Sequence, residues 1–285
     1  MATLHQDIWL GNLLGCSAYH VPADTEPLLL DQLPSGPAFV DAKVGVNQLQ
    51  RVHHLEQLGF RLVDTNLQLS VEQISPGISH FCGPHPQSLS QGRRGTLNLT
   101  LLLPFWEKGL GDEGQSCQIE IDPISSLSEE TLKACRWATP EDEAEVTAIA
   151  AQSFTVSRFH LDPQIPNAIA NQIKAAWARN FFIGQRGDWM VVAVVQGKVA
   201  GFLQLLQSQA NALILDLLAV DPNYRGQGLG RSMITYAAHH CLQSLRKIQV
   251  GTQVANIPAL NLYKSLGFQV EQASYVLHLH VGVSQ

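Results

Sequence analysis

The stretch Arg225-Gly226-Gln227-Gly228-Leu229-Gly230 is where this sequence is best arranged for chemistry. It follows an apolar run, Leu213 to Val220, and a turn, Asp221-Pro222-Asn223. It leads into a helical pattern with Met233, Ile234, Ala237, Ala238 and Cys241 on one side. Strand, glycine-rich turn and helix together aim several backbone N–H groups at one anion. Glycines let the backbone approach a phosphate without a Cβ in the way. The unpaired N–H groups and the dipole at the helix start favour negative charge there. The alternative is a tight strand-to-helix connection that happens to use three glycines. Two nucleotide motifs are excluded. A Walker loop needs Gly-Lys-Ser/Thr, and Gly230 is followed by Arg231-Ser232. A dinucleotide fingerprint needs a third glycine where Met233 stands.

The elements that must position this turn are legible on both sides of it. Thr139-Pro140-Glu141-Asp142 reads as a helix start, with a Thr cap, Pro in the first turn and acids behind it. Val146, Ile149 and Ala150 continue that helix, and a second is predicted over 165–180. Strands are predicted over 133–138, 189–196, 199–208, 213–220, 248–253 and 274–280, with a hairpin across Gln196-Gly197-Lys198. A last helix, 257–265, begins near Pro258 and is capped by Gly267. In the first half, 38–44 reads as a strand, 46–58 as a helix ended by Gly59, and 60–71 as a strand. Residues 75–95 and 107–116 read as loops, with a strand over 96–103 between them.

Composition narrows the function classes. The chain has 285 residues, enough for two modest domains, and 45% hydrophobic residues supply their cores. Charged residues make up 15% and net charge is −6, with no basic tract, so nucleic acid is not indicated. The five cysteines, Cys16, Cys82, Cys117, Cys135 and Cys241, form no C-x-x-C pair. They are expected to be reduced thiols of a cytoplasmic protein, with no metal. No signal peptide and no run of ~20 apolar residues points to a membrane.

Leu58-Gly59-Phe60 recurs 208 residues later as Leu266-Gly267-Phe268. At that offset Val52 falls on Leu260, Leu62 on Val270, Leu67 on Tyr275 and Leu69 on Leu277. Either this is a common helix–Gly–strand corner seen twice, or the chain is a tandem of related half-folds. In the second case the first copy is chemically degenerate, with Leu55 in place of Tyr263 and no glycine-rich turn.

From Lys133 onward the element order resembles that of the GNAT acyltransferase superfamily. The residues that carry the resemblance are Leu218-Ala219-Val220-Asp221-Pro222-x-x-Arg225-Gly226-Gln227-Gly228-Leu229-Gly230. They are followed by Asn256-x-x-Ala259-x-x-x-Tyr263-x-x-x-Gly267-Phe268. The whole chain is also similar to a narrower group, the TDP-fucosamine acetyltransferases. That similarity rests on Trp9-x-x-Asn12 to Ser17, on Ala42-Lys43 with 55–63, and on Ser153-Phe154-x-x-Ser157-Arg158-Phe159 with Asp162-Pro163. The longer middle, 74–126, departs from that group. The resemblance implies an α/β (α+β) chain: a GNAT fold around a central mixed, mostly antiparallel sheet, preceded by a smaller truncated GNAT-like domain. The implied division is 1–130 and 133–285.

The resemblance also implies roles. Acetyl-CoA is the co-substrate, with its pyrophosphate on the N–H groups of Gln227, Gly228, Leu229 and Gly230, and with Gly226, Arg225 and Arg231 beside it. The strand edge at Leu218, Ala219 and Val220 meets the pantetheine arm. Asn256 either bonds the cofactor or caps the helix that follows it. Tyr263 stands where the family places the acid that protonates the leaving thiolate; the alternative is a core tyrosine. Ser157, Arg158 and Phe159 fall where the fold meets its acceptor, and Arg158 could pair with a diphosphate or be a solvated loop arginine. His160 is a weaker candidate, and no general base is assigned. The implied acceptor is a small-molecule amine, foremost a dTDP-linked 4-amino-4,6-dideoxy sugar. A protein N-terminus, another small amine, or cofactor binding without turnover remain alternatives. A homodimer is compatible with all of these.

Overall fold

The computed structural model describes residues 4–23, 28–72, 134–241 and 245–282. The expected strand over 96–103 and its flanking loops lie outside the described residues. The first segment runs β1 (His5–Gln6), α1 (Ile8–Leu14), β2 (Ser17–Val21), β3 (Ala38–Gly45), α2 (Leu49–Gln57) and β4 (Arg61–Glu72). The second runs β5 (Cys135–Trp137), α3 (Glu143–Ser153), α4 (Arg158–Leu161), α5 (Asn167–Phe182), β6 (Trp189–Val195), β7 (Lys198–Gln207) and β8 (Ala212–Val220). It ends with α6 (Leu229–Cys241), β9 (Lys247–Gln253), α7 (Ile257–Ser265) and β10 (Gln269–Val281). The ten strands of the described residues join one sheet in the order β1-β2-β3-β10-β4-β9-β8-β7-β6-β5. Among the described residues only β2–β3 and β8–β9 pair in parallel, so the sheet is mixed and mostly antiparallel, as expected.

The internal similarity is structural. At an offset of 208 residues β3, α2 and β4 fall on β9, α7 and β10. Both corners have the same hydrogen bond: Phe60 N donates to Leu55 O at 3.0 Å, and Phe268 N to Tyr263 O at 3.1 Å. Both need a glycine in the left-handed region, Gly59 at φ 99° and Gly267 at φ 84°, because an L side chain is strained there. The two final strands are exchanged. β10 pairs with β3 of the first copy, and β4 pairs with β9 of the second.

Local chemistry accounts for the element boundaries. Thr139 and Asp142 form a capping box, with Thr139 N donating to Asp142 Oδ2 at 2.8 Å, and Arg136 grips the same carboxylate with two bonds. The second copy's apolar face is buried as the period demands. Met233, Ile234, Ala237, Ala238 and Cys241 of α6 pack with Leu203, Leu205, Leu213 and Leu215 of the sheet. On the other face α3 and α5 cover Met190, Val192, Phe202, Leu217 and Ala219. Each buried Leu, Ile, Val, Met or Phe among these contributes roughly 1.5–3 kcal/mol.

Several expectations shift. The first-half helix begins at Leu49 rather than 46, because Val46, Asn47 and Gln48 are used to leave β3. β10 begins at Gln269, five residues earlier than its alternation suggests, because its exposed start pairs with β4. Ser157 to His160 is not an open loop: His160 N bonds Ser157 O at 2.8 Å, and the segment is the short helix α4. α1 and β2 were not foreseen. Asp7 caps α1 by accepting from Leu10 N at 2.8 Å. No described helix is long and apolar enough to cross a membrane.

Candidate active site

Two neighbouring strands part at the middle of the sheet. β8 and β9 pair in register only from Ala212↔Lys247 to Leu215↔Val250. Beyond that point β8 stays with β7, and β9 stays with β4. The cause is local. The β7–β8 register slips between Gln204↔Leu217 and Leu205↔Leu215, which leaves Asp216 as an extra residue. The bulge inverts the alternation. Leu213 and Leu215 join the core under α6, whereas Leu217 and Ala219 join the core under α3.

Asp216 is anchored where the strands part. It accepts from Arg186 Nε at 2.8 Å and a second guanidinium nitrogen at 2.6 Å, from Trp177 Nε1 at 3.1 Å and from Gln204 Nε2 at 3.1 Å.

The glycine-rich turn lies at the far end of β8. Asp221 starts it as a turn residue, accepting from Asn223 N at 2.8 Å. Gly226 and Gly228 both adopt φ 78°, and a Cβ at either would meet nothing within 4 Å. Their glycine requirement is therefore conformational, and the surface above them is open. Ser232 N donates to Gly228 O at 3.0 Å and starts the α6 ladder, so the N–H groups ahead of it face out of the helix end. Gly230 is close-packed instead: a Cβ there would come within 3.1 Å of Leu262 on α7, with Leu218 next to it. Turn, β8 and α7 thus converge at one place.

The other expected residues have structural duties. Arg225 bonds Val220 O at 3.2 Å and Ser153 O at 3.0 Å, tying the turn to α3. Arg231 bonds both oxygens of Ser265 at the end of α7. Asn256 caps α7 through Ala259 N at 3.4 Å and bonds Thr252 Oγ1 at 3.3 Å. Tyr263 lies on the buried face of α7, 4% exposed, with its ring 5.6 Å from that of Phe268. Burial raises its phenol above the ordinary value, so the hydroxyl stays protonated through the neutral range.

On the other side of the parting is a cavity of about 300 Å³. The sheet supplies Asp41 and Lys43 of β3, Asp64 and Asn66 of β4, Gly251 and Gln253 of β9, and Asp216 of β8. Alternate residues of a strand share a face, so these chain-distant groups meet on one side of the sheet. α4 and α5 cover them with Ser157, Arg158, Phe159, Lys174, Trp177 and Asn180.

The expected acceptor residues therefore border one cavity, but each also holds the fold. Ser157 is buried and bonds His160 Nδ1 at 2.6 Å. Phe159 is buried among Leu10, Phe39 and Ile173. Arg158 is ion-paired to Asp41 and only partly exposed. Burial alone would raise the Asp41 carboxyl, but Arg158 and His20 hold it well below the usual carboxylate range. Asp64 differs: its Oδ2 is buried with no hydrogen-bond partner, and burial pushes its pKa up to about 6. Burial, then the neighbouring Arg158, brings Lys43 down to about 8, and its ammonium donates to Asn66 at 3.1 Å. Sequence reasoning missed Asp64, Asn66, Lys174, Trp177 and Arg186, since no local motif carries them.

A largely buried trio ties β10 to the residues after α4. Asp162 Oδ2 accepts from His278 Nδ1 at 2.7 Å and His280 Nε2 at 2.8 Å. These are metal-ligand types within 4.8 Å of one another, but two rings already share one carboxylate oxygen. Burial would raise Asp162, and the two histidine bonds bring it below its ordinary value instead. Burial lowers His278, partly offset by Asp162. Both groups bind protons less readily folded than unfolded. Their stability is therefore present above the unfolded values and lost as pH falls, first below about 6.5 for His278, then below about 3.9 for Asp162. The Tm is expected to fall between pH 7 and pH 5, and the drop to be smaller in His278→Asn. A Tm that is flat across that window in the parent chain would contradict this.

Comparison with known proteins agrees with the geometry. Spore coat polysaccharide biosynthesis protein SpsD of Bacillus subtilis (strain 168) is 35% identical over 144 residues, 50% of this chain and 49% of that protein. N-acetylaspartate synthetase of Xenopus tropicalis is 35% identical over 108 residues, 36% of this chain and 35% of that protein. The chain thus spans half or less of the length of these two relatives. A conserved protein of unknown function from Staphylococcus epidermidis shares the fold, with a TM-score of 0.51, 12% identity and coverage of 98% of this chain and 91% of that one. Residues 147–268, which hold the glycine-rich turn, the parting strands and Tyr263, match the model of the Acetyltransferase (GNAT) family. Over those residues the chain is similar to the GNAT acetyltransferases.

Proposed function

We propose that the protein is an acetyl-CoA-dependent N-acetyltransferase whose acceptor is the amine of a nucleotide-linked amino sugar. The parting of β8 and β9, between an open glycine turn and a polar cavity, carries this reading. The glycine turn and the helix end behind it suit the cofactor's pyrophosphate. The free edge of β8 from Leu218 to Val220 suits the amides of the pantetheine arm, as an added strand would use them. The thioester would then reach the parting, with the acceptor in the cavity.

In the reaction the neutral amine attacks the thioester carbonyl carbon. The C–N bond forms, the C–S bond breaks, Tyr263 gives its proton to the departing sulfur, and the nitrogen gives up its surplus proton to water. A main-chain N–H near Leu218 polarises the carbonyl. Tyr263 is suited to the acid role because burial keeps it protonated. SpsD, a protein of polysaccharide biosynthesis, favours a sugar acceptor. The ion pair to Asp41 leaves Arg158 less free to meet a diphosphate than its sequence position suggests.

The test is thiol release from acetyl-CoA in the presence of dTDP-4-amino-4,6-dideoxygalactose and UDP-amino sugars, with acetyl-CoA binding measured by calorimetry. Release with these acceptors supports the reading. Release only with other amines removes the sugar assignment. Binding without release for any amine removes the catalytic one.

A further inference from the structure

The cavity contains many charges, and most are already satisfied. Arg158 pairs with Asp41, Arg186 with Asp216, and Lys43 bonds Asn66. Asp7 accepts from Leu10 N. Lys174 is the exception among the cations. It is 8% exposed and borders the cavity. Among the described residues no oxygen accepts a hydrogen bond from its ammonium.

Two rings hold it instead. The ammonium lies 4.7 Å from the centre of Trp177, one turn along α5, and 5.0 Å from Phe154. Trp177 is itself fixed by its bond to Asp216. The side chain is therefore pre-positioned, yet three strong N–H donors have no acceptor. The ammonium borders the cavity, so an acceptor placed there can complete it. The two ring contacts fix where the ammonium sits but use none of its N–H donors.

We propose that Lys174 is the binding site for an oxyanion, a carboxylate or a phosphate oxygen, carried by the acceptor. This rests on the acetyltransferase reading and names a property of its substrate. Because Lys174 packs on Trp177, and Trp177 on Asp216 where the strands part, the oxyanion and the reacting amine lie in the same cavity. Burial, together with Arg158 and Arg186, already brings the lysine pKa down to about 8, which an arriving anion reverses.

The experiment compares parent and Lys174→Met. Calorimetric binding without acetyl-CoA is measured first, then KM and kcat. The probes are dTDP-4-amino-4,6-dideoxygalactose for phosphate, a series of α-amino acids for carboxylate, and free 4-amino-4,6-dideoxygalactose as the control that carries no anion. The expected result is a loss of affinity for one anionic probe at least ten-fold greater than for the control, in KM rather than kcat, with Tm unchanged or raised. Lys174→Arg should recover part of that affinity. Equal losses for anion-bearing and anion-free probes, or a fall confined to kcat that removes an alkaline pH limb, overturn the proposal, the latter by making Lys174 a base. A Tm drop with unchanged acceptor affinity also overturns it, by making the lysine structural. Anion binding that depends on Lys174 without any acetylation leaves this inference standing and sinks the reading of function instead.

Discussion

Asp216→Ala is expected to lower the unfolding free energy by roughly 3–5 kcal/mol, the range for removing one partner of a buried ion pair. Four donor contacts converge on this carboxylate, from Arg186, Trp177 and Gln204. Arg186 is 12% exposed and Asp216 7% by side chain, so the guanidinium left behind has little water to turn to. Gln204 is wholly buried, and its amide carbonyl oxygen already has no partner. The effect should also reach the site, because Asp216 is the bulged residue at the parting of β8 from β9. Chemical denaturation of the variant measures the first effect. Pairing it with Arg186→Met separates a lost favourable contact from an uncompensated charge: the double variant should regain more than half of the loss. A single-variant loss under about 1 kcal/mol would show that Arg186 reaches solvent and that the bulge does not depend on the carboxylate.

Tyr263→Phe should lower kcat at least ten-fold, about 1.4 kcal/mol in the barrier, and leave acetyl-CoA affinity and Tm nearly unchanged. The substitution keeps the ring that packs near Phe268 and removes only the hydroxyl. If the phenol protonates the departing thiolate, its loss appears in the chemical step and not in cofactor binding. Rapid-quench turnover with calorimetry on the same sample checks both. Full activity would return Tyr263 to a core tyrosine, the role its 4% exposure alone suggests.

Much of the second half was readable because its signals are local. The cap at Thr139 and the glycines at 226, 228 and 267 each depend on a few neighbouring residues. The repeat at 208 residues was readable too, since corner and strand preserve their apolar spacing. The cavity was not. Asp41, Asp64, Lys174 and Asp216 are far apart in the chain and meet only through the exchange of β4 and β10 and the bulge in β8. Arg158 illustrates the limit: its position was legible, but its partner Asp41, 117 residues away, was not. Asn256 shows the reverse, since the cap reading needed only the next three residues and is what its side chain does.

The crossed strands have a consequence for synthesis. While the ribosome is still making the second half, β3 and β4 have no strand between them, since that position belongs to β10. Leu277 and Leu279 complete the core over which Val40, Ala42 and Phe60 close. The early half must therefore wait, with sheet edges open and apolar faces uncovered, until some 200 further residues have emerged. Co-translational folding of this chain cannot proceed one half at a time, and its aggregation risk is concentrated before the last strand leaves the exit tunnel.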